Sequence, residues 1–342
     1  MEALTKLGLG IEVKLVQYTP EAPKLVAAAS KMSISHKGSS ELLSIGDEEV
    51  EGWIKETLKR GHLSPWEHAS YTFMVEGCSR VCSHQLVRHR IASYTQQSMR
   101  YTEASLRAMA LEAAKALGAE CPSKPKGSAA RDAYLCYSRS LRTAAERLGA
   151  EEALRLAWLS YVIPPSLAVN FEKALAYARE LLEATSSYYE LLSRGVPRED
   201  ARFVIPMSVR TKITFTMNAR ELVQSFLPLR MCTHAQWEIR HVAWLTWREL
   251  VKVHPQVFKY AGPSCVFFNN SQLPEPATLE DYLSGKAKFV INRCPELIER
   301  DKIHGCLLLA YRSLSEDPLR GSKASSGDNE AGRAGEAHQG DA

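Results

Sequence analysis

No apolar run in the 342 residues approaches the 18 or so that cross a bilayer. The opening Met-Glu-Ala-Leu-Thr-Lys lacks the basic and long apolar segments of a secretory leader. The expectation is a cytoplasmic protein without a membrane partner. Catalytic metal sites are poorly supported. His62, His68, His84, His89, His234 and His241 are scattered, and no His-Glu-x-x-His pair is present. No Gly-x-Ser-x-Gly elbow surrounds a serine, which argues against an acyl-transfer hydrolase. Gly8-Leu-Gly10 stands before the first strand and has no third glycine, so any dinucleotide is held without a Rossmann loop. The eight cysteines include one close pair, Cys78 and Cys82, with no second pair to complete a zinc site. In a long chain without a leader, they read as reduced thiols filling the core. The net charge of +4 arises from 43 basic and 39 acidic residues, too small an excess for a dedicated nucleic-acid binder. The last 28 residues hold six acids and three bases, so the body is slightly more basic than the whole, as suits an anionic substrate.

What is present centres on residues 78–103, Cys-Ser-Arg-Val-Cys-Ser-His-Gln-Leu-Val-Arg-His-Arg-Ile-Ala-Ser-Tyr-Thr-Gln-Gln-Ser-Met-Arg-Tyr-Thr-Glu. Residues 79–90 read as a helix. Gln85, Arg88 and His89 then share a face at i, i+3 and i+4, and Arg90 lies about 200° round from Arg88. Val81, Cys82, Leu86 and Val87 hold that helix down. Ser93, Tyr94, Thr95, Gln96, Gln97 and Ser98 follow as an unbroken hydrogen-bonding series, and then Arg100. Guanidinium forks with hydroxyl and amide groups suit a phosphate and a pyrimidine ring. Ser98 reads as a ligand for phosphate or base, because no adjacent base and oxyanion hole equip it as a nucleophile.

Around this stretch the pattern is α+β. Strands are expected at residues 11–18, 70–76 and 205–217, with another starting at 100–102. Helices are expected at 20–32, 47–60, 166–194, 218–227 and 234–253, with Asp47 as an N-cap and Gly61 closing its helix. Ser64 is expected to cap a turn beginning at Pro65, partnered by Glu67. Residues 37–44 and 263–276 read as loops, and 279–283 and 295–312 as short helices. With few strands and no βαβ rhythm, the natural architecture is a mostly antiparallel sheet flanked by helices. The catalytic domain is assigned to 1–103 and 161–265, interrupted by an Ala-, Leu-, Arg- and Glu-rich helical insertion at 104–160. A C-terminal appendage at 266–314 and a disordered tail at 315–342 complete the chain. A second polar cluster combines Asn218, Arg220, Arg230, His234, Gln236 and Glu238; capping explains Asn218 but not its cationic neighbours.

Arg88-His89-Arg90, seven residues and then Ser98 resembles the signature of the flavin-dependent thymidylate synthases. Ser79-Arg80, His84-Gln85 and Arg100-Tyr101 around it are similar to the family. So are His62-x-Ser64-Pro65-x-Glu67-His68, Val196-Pro197-Arg198-Glu199-x-Ala201-Arg202, Asn218-Ala219-Arg220, Leu229-Arg230 and His234-Ala235-Gln236-Trp237-Glu238-Ile239, in the family's order. The resemblance covers about residues 10–103 and 165–255. It implies an α+β homotetramer with active sites at subunit interfaces. The implied reaction methylates dUMP to dTMP with 5,10-methylenetetrahydrofolate as carbon donor and FAD, reduced by NADPH, as reductant.

By resemblance, Gln85, Arg88, Gln97, Ser98, Arg100 and Lys212 are dUMP ligands. Ser64, Arg88, His89, Arg90, Gln96, Asn218, Arg220 and Gln224 are FAD contacts. His62 and His234 lie near flavin and folate. Arg230 is the catalytic residue, meeting the uracil and favouring ionisation at N3; no metal is implied. Two departures stand out. Lys212 occupies a position where the family carries arginine, and one extra residue separates Arg220 from Arg230, which makes the Gln224 match a looser one. Three other readings are open. A folate-only thymidylate synthase would use Cys232 beside His234, but the proline that precedes its cysteine is missing. A nucleotide- or RNA-binding protein would use Arg88, Arg90 and Arg100, without the exposed aromatics of an RNA reader. An inactive FAD-binding relative is the third.

Overall fold

The computed structural model describes residues 8–125 and 127–315. Four strands form one antiparallel sheet in the order β1-β2-β4-β3: β1 (Glu12–Tyr18), β2 (Ser70–Ser79), β3 (Ala92–Gln96) and β4 (Arg210–Asn218). Helices of seven residues or more are α1 (Ala22–Met32), α2 (Asp47–Arg60), α3 (Arg80–Leu86), α4 (Ala104–Ala116), α5 (Ala130–Arg147), α6 (Ala150–Ser160), α7 (Phe171–Ser193), α8 (Trp237–Val253), α9 (Ser264–Asn270) and α10 (Arg300–Tyr311). The α+β architecture with helices against an antiparallel sheet is therefore the observed one. Among the described residues no helix is long and apolar enough to cross a membrane. The tail expected to be disordered lies, from residue 316 on, outside the described residues.

Alternation decides which face of the sheet is covered. Tyr71, Phe73 and Val75 of β2, with Ile213, Phe215 and Met217 of β4, point into the core. Phe73 opposes Phe215 in register, and the two rings stack at 5.1 Å. Burying an aromatic ring of this kind contributes about 2–3 kcal/mol. The opposite face carries Thr72, Thr214, Thr216 and Lys212; Thr72 and Thr216 share a hydroxyl hydrogen bond at 2.9 Å. Helix α8 lies against β1, and α1 against α2. A second apolar cluster joins Leu106, Met109, Tyr137, Leu141 and Leu154 to Leu181, Tyr188 and Tyr189 of α7. The helices of 104–160 thus pack on α7 as one layer.

One half-buried cation ties the pieces together. Arg210 donates through Nη1 to the carbonyls of Leu9 (2.9 Å) and Gly77 (2.8 Å), and through Nε to that of Trp158 (3.1 Å). Its guanidinium also lies 4.8 Å from the Trp158 ring centroid. Gly77 sits at the β2 bulge with φ +78, and a Cβ there would be 1.9 Å from the Gly10 carbonyl oxygen. The close approach of the N-terminal segment to the bulge therefore requires glycine.

Several expected elements differ. The helix at 79–90 stops at Leu86, and Val81 and Val87 are exposed at 38% each, so Cys82 and Leu86 alone of the four are buried. Residues 92–96 form an edge strand, whereas 100–102 lie in a turn. The α2 N-cap is Gly46, with Asp47 the first helical residue; Gly61 does close it, with φ 70. Ser64 begins a 3-10 turn, Ser64–His68, without capping it, because Glu67 turns to Arg220 instead. The long helix expected at 166–194 is broken before Phe171, where Asn170 accepts from the Lys173 amide. Residues 39–43 and α9 are helical where loops were expected. The reduced-thiol expectation fails for one pair: Cys121 and Cys136 form a disulfide across a separation of 15 residues. The remaining six cysteines are free.

Candidate active site

The signature segment is held from behind. Ser79 accepts from the Cys82 amide at 3.0 Å and so caps α3. Its own amide and hydroxyl donate to the two oxygens of Glu238, each at 2.6 Å. Glu238 is 1% exposed, and burial holds its carboxyl above the usual range. The other end of α3 is capped by a side chain. The Tyr94 hydroxyl lies 2.9 Å from the Leu86 carbonyl and 2.7 Å from that of His89. The chain leaves the helix there, and the three signature residues alternate. Arg88 and Arg90 face outward, while His89 turns into the core at 5% exposure. Gln85, Arg88 and His89 therefore do not share a helical face.

Inside, His89 meets Arg230. The Arg230 Nε donates to His89 Nε2 at 3.0 Å, and its Nη2 donates to the Gln85 carbonyl at 3.3 Å. Since a guanidinium only donates, His89 Nε2 must carry a lone pair and Nδ1 the proton. Nδ1 is 3.1 Å from Ser225 Oγ and 3.3 Å from Glu221 Oε1. Phe226 packs edge-on against the ring at 5.2 Å. Burial, reinforced by Arg230, depresses the His89 pKa to about 4, so the imidazole is neutral at neutral pH and its contact with Glu221 is not an ion pair. Burial also lowers the Arg230 pKa and raises that of Glu221.

The backbone device behind this meeting is a π turn. Asn218 accepts from the Glu221 amide at 2.8 Å and starts a helix whose residues Leu222–Phe226 are π-helical, before Leu227–Arg230 resumes α geometry. Glu221 and Arg230, nine residues apart, would face opposite sides of an unbroken α-helix. A π turn takes up one additional residue and swings them towards each other by about 100°. The extra residue that the resemblance implies between Arg220 and Arg230 would find its place in this turn.

The other expected site residues divide. Gln96 donates to Ser83 Oγ at 2.7 Å, tying β3 to α3. Gln97 is held by its backbone, donating to the Lys212 carbonyl and accepting from Arg80, each at 2.9 Å. Ser98 Oγ accepts from the Arg100 amide at 3.2 Å. Arg100 turns to Glu199 at 3.7 Å, Lys212 to Glu76 at 2.8 Å and His234 to Glu296 at 3.5 Å. None of these three hydrogen-bonds to the Arg230 group. Arg220 donates to Gln224 Oε1 at 2.9 Å and pairs with Glu67. Glu67 belongs to the same turn as Ser64, which with His62, His68, Arg60, Trp53 and Met32 lines a groove of about 630 Å³. Gln236, counted with the second polar cluster, is the N-cap of α8. Sequence reasoning missed Glu221, Ser225, Tyr94 as a cap, and Arg210. The one usable signal was the extra residue that the resemblance implies after Arg220.

Cofactor and nucleophile options can be judged from these contacts. Arg90 makes no hydrogen bond or ion pair among the described residues, and Arg88 contacts His84 Nε2 at 2.9 Å. Two exposed guanidinium groups suit a phosphate-bearing ligand; neither lines the groove beside Ser64. Cys232 is a poor nucleophile. Burial raises its thiol pKa, and the cavity it lines with Cys265 and Cys306 is about 20 Å³. No group of three or more metal-ligating side chains among the described residues is placed to hold a metal ion.

The depressed His89 pKa sets an expected pH dependence. The folded value, about 4, lies below the ordinary 6.5. Its contribution is therefore complete above pH 6.5 and is lost as pH falls through 4, by about 3 kcal/mol at pH 4. Burial depresses His254 in the same sense, while Glu221 and Glu238 act in the opposite one. The quantity to read is thus the difference between wild type and His89→Gln. Denaturant unfolding at pH 7 and pH 4.5 should show a smaller acid loss in the variant; equal losses would contradict the buried neutral imidazole.

Comparison with known proteins decides the family. The family model described as thymidylate synthase complementing protein matches residues 14–256. A flavin-dependent thymidylate synthase from Aeropyrum pernix is 53% identical over 307 residues, covering 89% of this chain and 94% of its own. The chain belongs to the flavin-dependent thymidylate synthase family. A family member from Sulfurisphaera tokodaii is 40% identical over 299 residues, covering 87% of this chain and 96% of its own. Among solved structures, the UMP/dUMP methylase PolB from Streptomyces cacaoi, bound with 5-Br dUMP, aligns with a TM-score of 0.50 at 24% identity. It covers 72% of this chain and 93% of that one, a likeness of fold. The family match ends before α9 begins, and the signature and the Arg230 turn both lie inside it.

Proposed function

We propose that this chain catalyses the reductive methylation of dUMP to dTMP, taking its carbon from 5,10-methylenetetrahydrofolate and its reducing equivalents from NADPH through FAD. The observation that carries the reading is the part-buried Arg230–His89 contact between the signature and the segment after Asn218. Arg230 has Nε committed to His89 and Nη2 to Gln85, while Nη1 makes no hydrogen bond among the described residues. A fixed, half-buried guanidinium with a free donor is suited to an oxygen or nitrogen on which charge develops. Set against the uracil, it favours loss of the N3 proton and spreads negative charge over the ring, so that C5 attacks the methylene carbon. This activation needs no enzyme thiolate at C6, in keeping with the raised pKa of Cys232. Reduced FAD, when bound, supplies the electrons that convert the transferred methylene into a methyl group, and tetrahydrofolate leaves.

Arg88 with Gln85, Gln97, Ser98, Arg100 and Lys212 would hold the nucleotide, the last two by releasing Glu199 and Glu76. Arg88, Arg90, Gln96, Asn218, Arg220, Gln224 and Ser64 would hold the flavin, with His62 and His234 nearer the folate; His89, buried with both ring nitrogens bonded, would serve that site only from behind, through Arg230. Residues 1–103 and 161–265 form the catalytic domain in this reading, with 104–160 and 266–314 as its supports. Exposed Ile91, Tyr101 and Phe203, at 67%, 76% and 84%, suit subunit contacts in a cytoplasmic homotetramer that completes the sites.

Tritium release from dUMP labelled at C5, dependent on methylenetetrahydrofolate, tests the reaction. Flavin retention tests one assignment: Arg90→Ala should lose about tenfold in FAD affinity, read as flavin absorbance after gel filtration. Unchanged occupancy would remove Arg90 from the flavin site.

A further inference from the structure

The Arg230 contact does not end at His89. The Ser225 hydroxyl is 3.1 Å from His89 Nδ1 and the Glu221 carboxylate is 3.3 Å from it, so both stand where the Nδ1 proton points. The donors all run one way. Arg230 Nε–H gives to His89 Nε2, and His89 Nδ1–H points to Ser225 Oγ and to the Glu221 carboxylate, which accepts without needing to donate. We propose that Glu221 and Ser225 are positioning residues for Arg230, acting through the tautomer of His89; this rests on the reading of Arg230 given above. None of the site assignments made from the signature includes either residue.

The chain explains itself by what happens when its last acceptor is removed. Without Glu221 the Ser225 hydroxyl alone faces Nδ1 and can turn to donate to it. The imidazole then carries its proton on Nε2, donor faces donor at Arg230 Nε, and the guanidinium is pushed off its aim. The imidazole cannot simply swing away, because Phe226 closes one side and Tyr94 holds the His89 carbonyl. Burial strengthens the effect, since an unpaired donor here has no water to turn to. The π turn serves the same end by placing Glu221, Ser225 and Arg230 within reach of one imidazole ring.

The test is a double-mutant cycle on the FAD-loaded enzyme, comparing Glu221→Leu with Arg230→Lys, which keeps the charge but has no Nε–H to meet the imidazole. Glu221→Leu should lower kcat for dTMP formation by about tenfold or more, with KM for dUMP within about threefold. Glu221→Gln keeps an oxygen acceptor beside His89 Nδ1 and should stay within about threefold of wild type in kcat. In the Arg230→Lys background, Glu221→Leu should cost less than about twofold more. Flavin content and the thermal midpoint, read on each variant, separate a positioning loss from a folding loss. If Glu221→Leu yields no folded enzyme, Ser225→Val breaks the same chain and enters the cycle in its place. Equal losses in the wild-type and Arg230→Lys backgrounds, or no recovery with Glu221→Gln, would overturn the proposal. Wild-type turnover by Arg230→Lys would instead overturn the role of Arg230, and the proposal with it.

Discussion

Arg230→Ala is expected to lower dTMP formation by at least about 10³-fold while leaving FAD bound. The magnitude follows from where the guanidinium sits. It is half-buried, burial already weighs against its charge, and two of its donors are committed to fixed partners. A preorganised cation in such a site acts on developing charge without reorganising. Removing it also frees the His89 Nε2 lone pair, but the deleted side chain leaves room for a water to satisfy it, so the fold should survive. FAD retention should be little changed, because none of the guanidinium groups assigned to the flavin, Arg88, Arg90 and Arg220, hydrogen-bonds to the Arg230 group. Single-turnover assays with dUMP in saturating excess separate the chemical step from binding. Turnover within about threefold of wild type would remove Arg230 from the chemistry.

Arg210→Ala is expected to be the most destabilising single change, at about 4 kcal/mol, or about 10 °C in the thermal midpoint. Its side chain serves carbonyls from three separated parts of the chain: the segment before β1, the β2 bulge and the end of α6. Removing the guanidinium leaves these carbonyls without their common donor, and the stacking on Trp158 is lost too. Burial lowers the Arg210 pKa to about 10, so the charge is retained at neutral pH and the whole interaction is available to lose. Arg210→Lys should fall between, since an ammonium cannot reproduce the fork. Differential scanning calorimetry reads the result; a midpoint within about 2 °C of wild type would mean that the carbonyls find other partners.

The two central strands and the long amphipathic helices were legible because their burial is periodic. Thr211, Ile213 and Phe215 alternate with exposed or half-exposed residues, and Val50, Ile54 and Leu58 recur at helical spacing. Strand β3 was not, because its side chains are hydroxyls and amides: Tyr94 and Gln96 face inward but bond to α3, so the segment reads as a ligand set. The end of α3 at Leu86 has no glycine or proline to announce it; the cap is a tyrosine hydroxyl eight residues on. Part of the candidate site was legible by type. Arg230, His89 and Gln85 do come together, yet as one contact group reached through a π turn that no local propensity marks. Lys212, Arg100 and His234 carry suitable charge but face Glu76, Glu199 and Glu296, partners whose proximity depends on the tertiary fold. The Cys121–Cys136 bridge was hidden for another reason, because the expected cytoplasmic setting argued against it while the geometry of the helical layer brings the two residues to a Cα separation of 5.7 Å.

The most direct measurement is an anaerobic incubation of the purified, flavin-loaded protein with dUMP, 5,10-methylenetetrahydrofolate and NADPH, following dTMP, the folate product and the flavin spectrum together. The predicted result is bleaching of the flavin by NADPH, then its reoxidation as dTMP and tetrahydrofolate appear in equal amounts. Formation of dihydrofolate in place of tetrahydrofolate, or a protein that binds FAD and reduces it without making dTMP, would contradict the assignment.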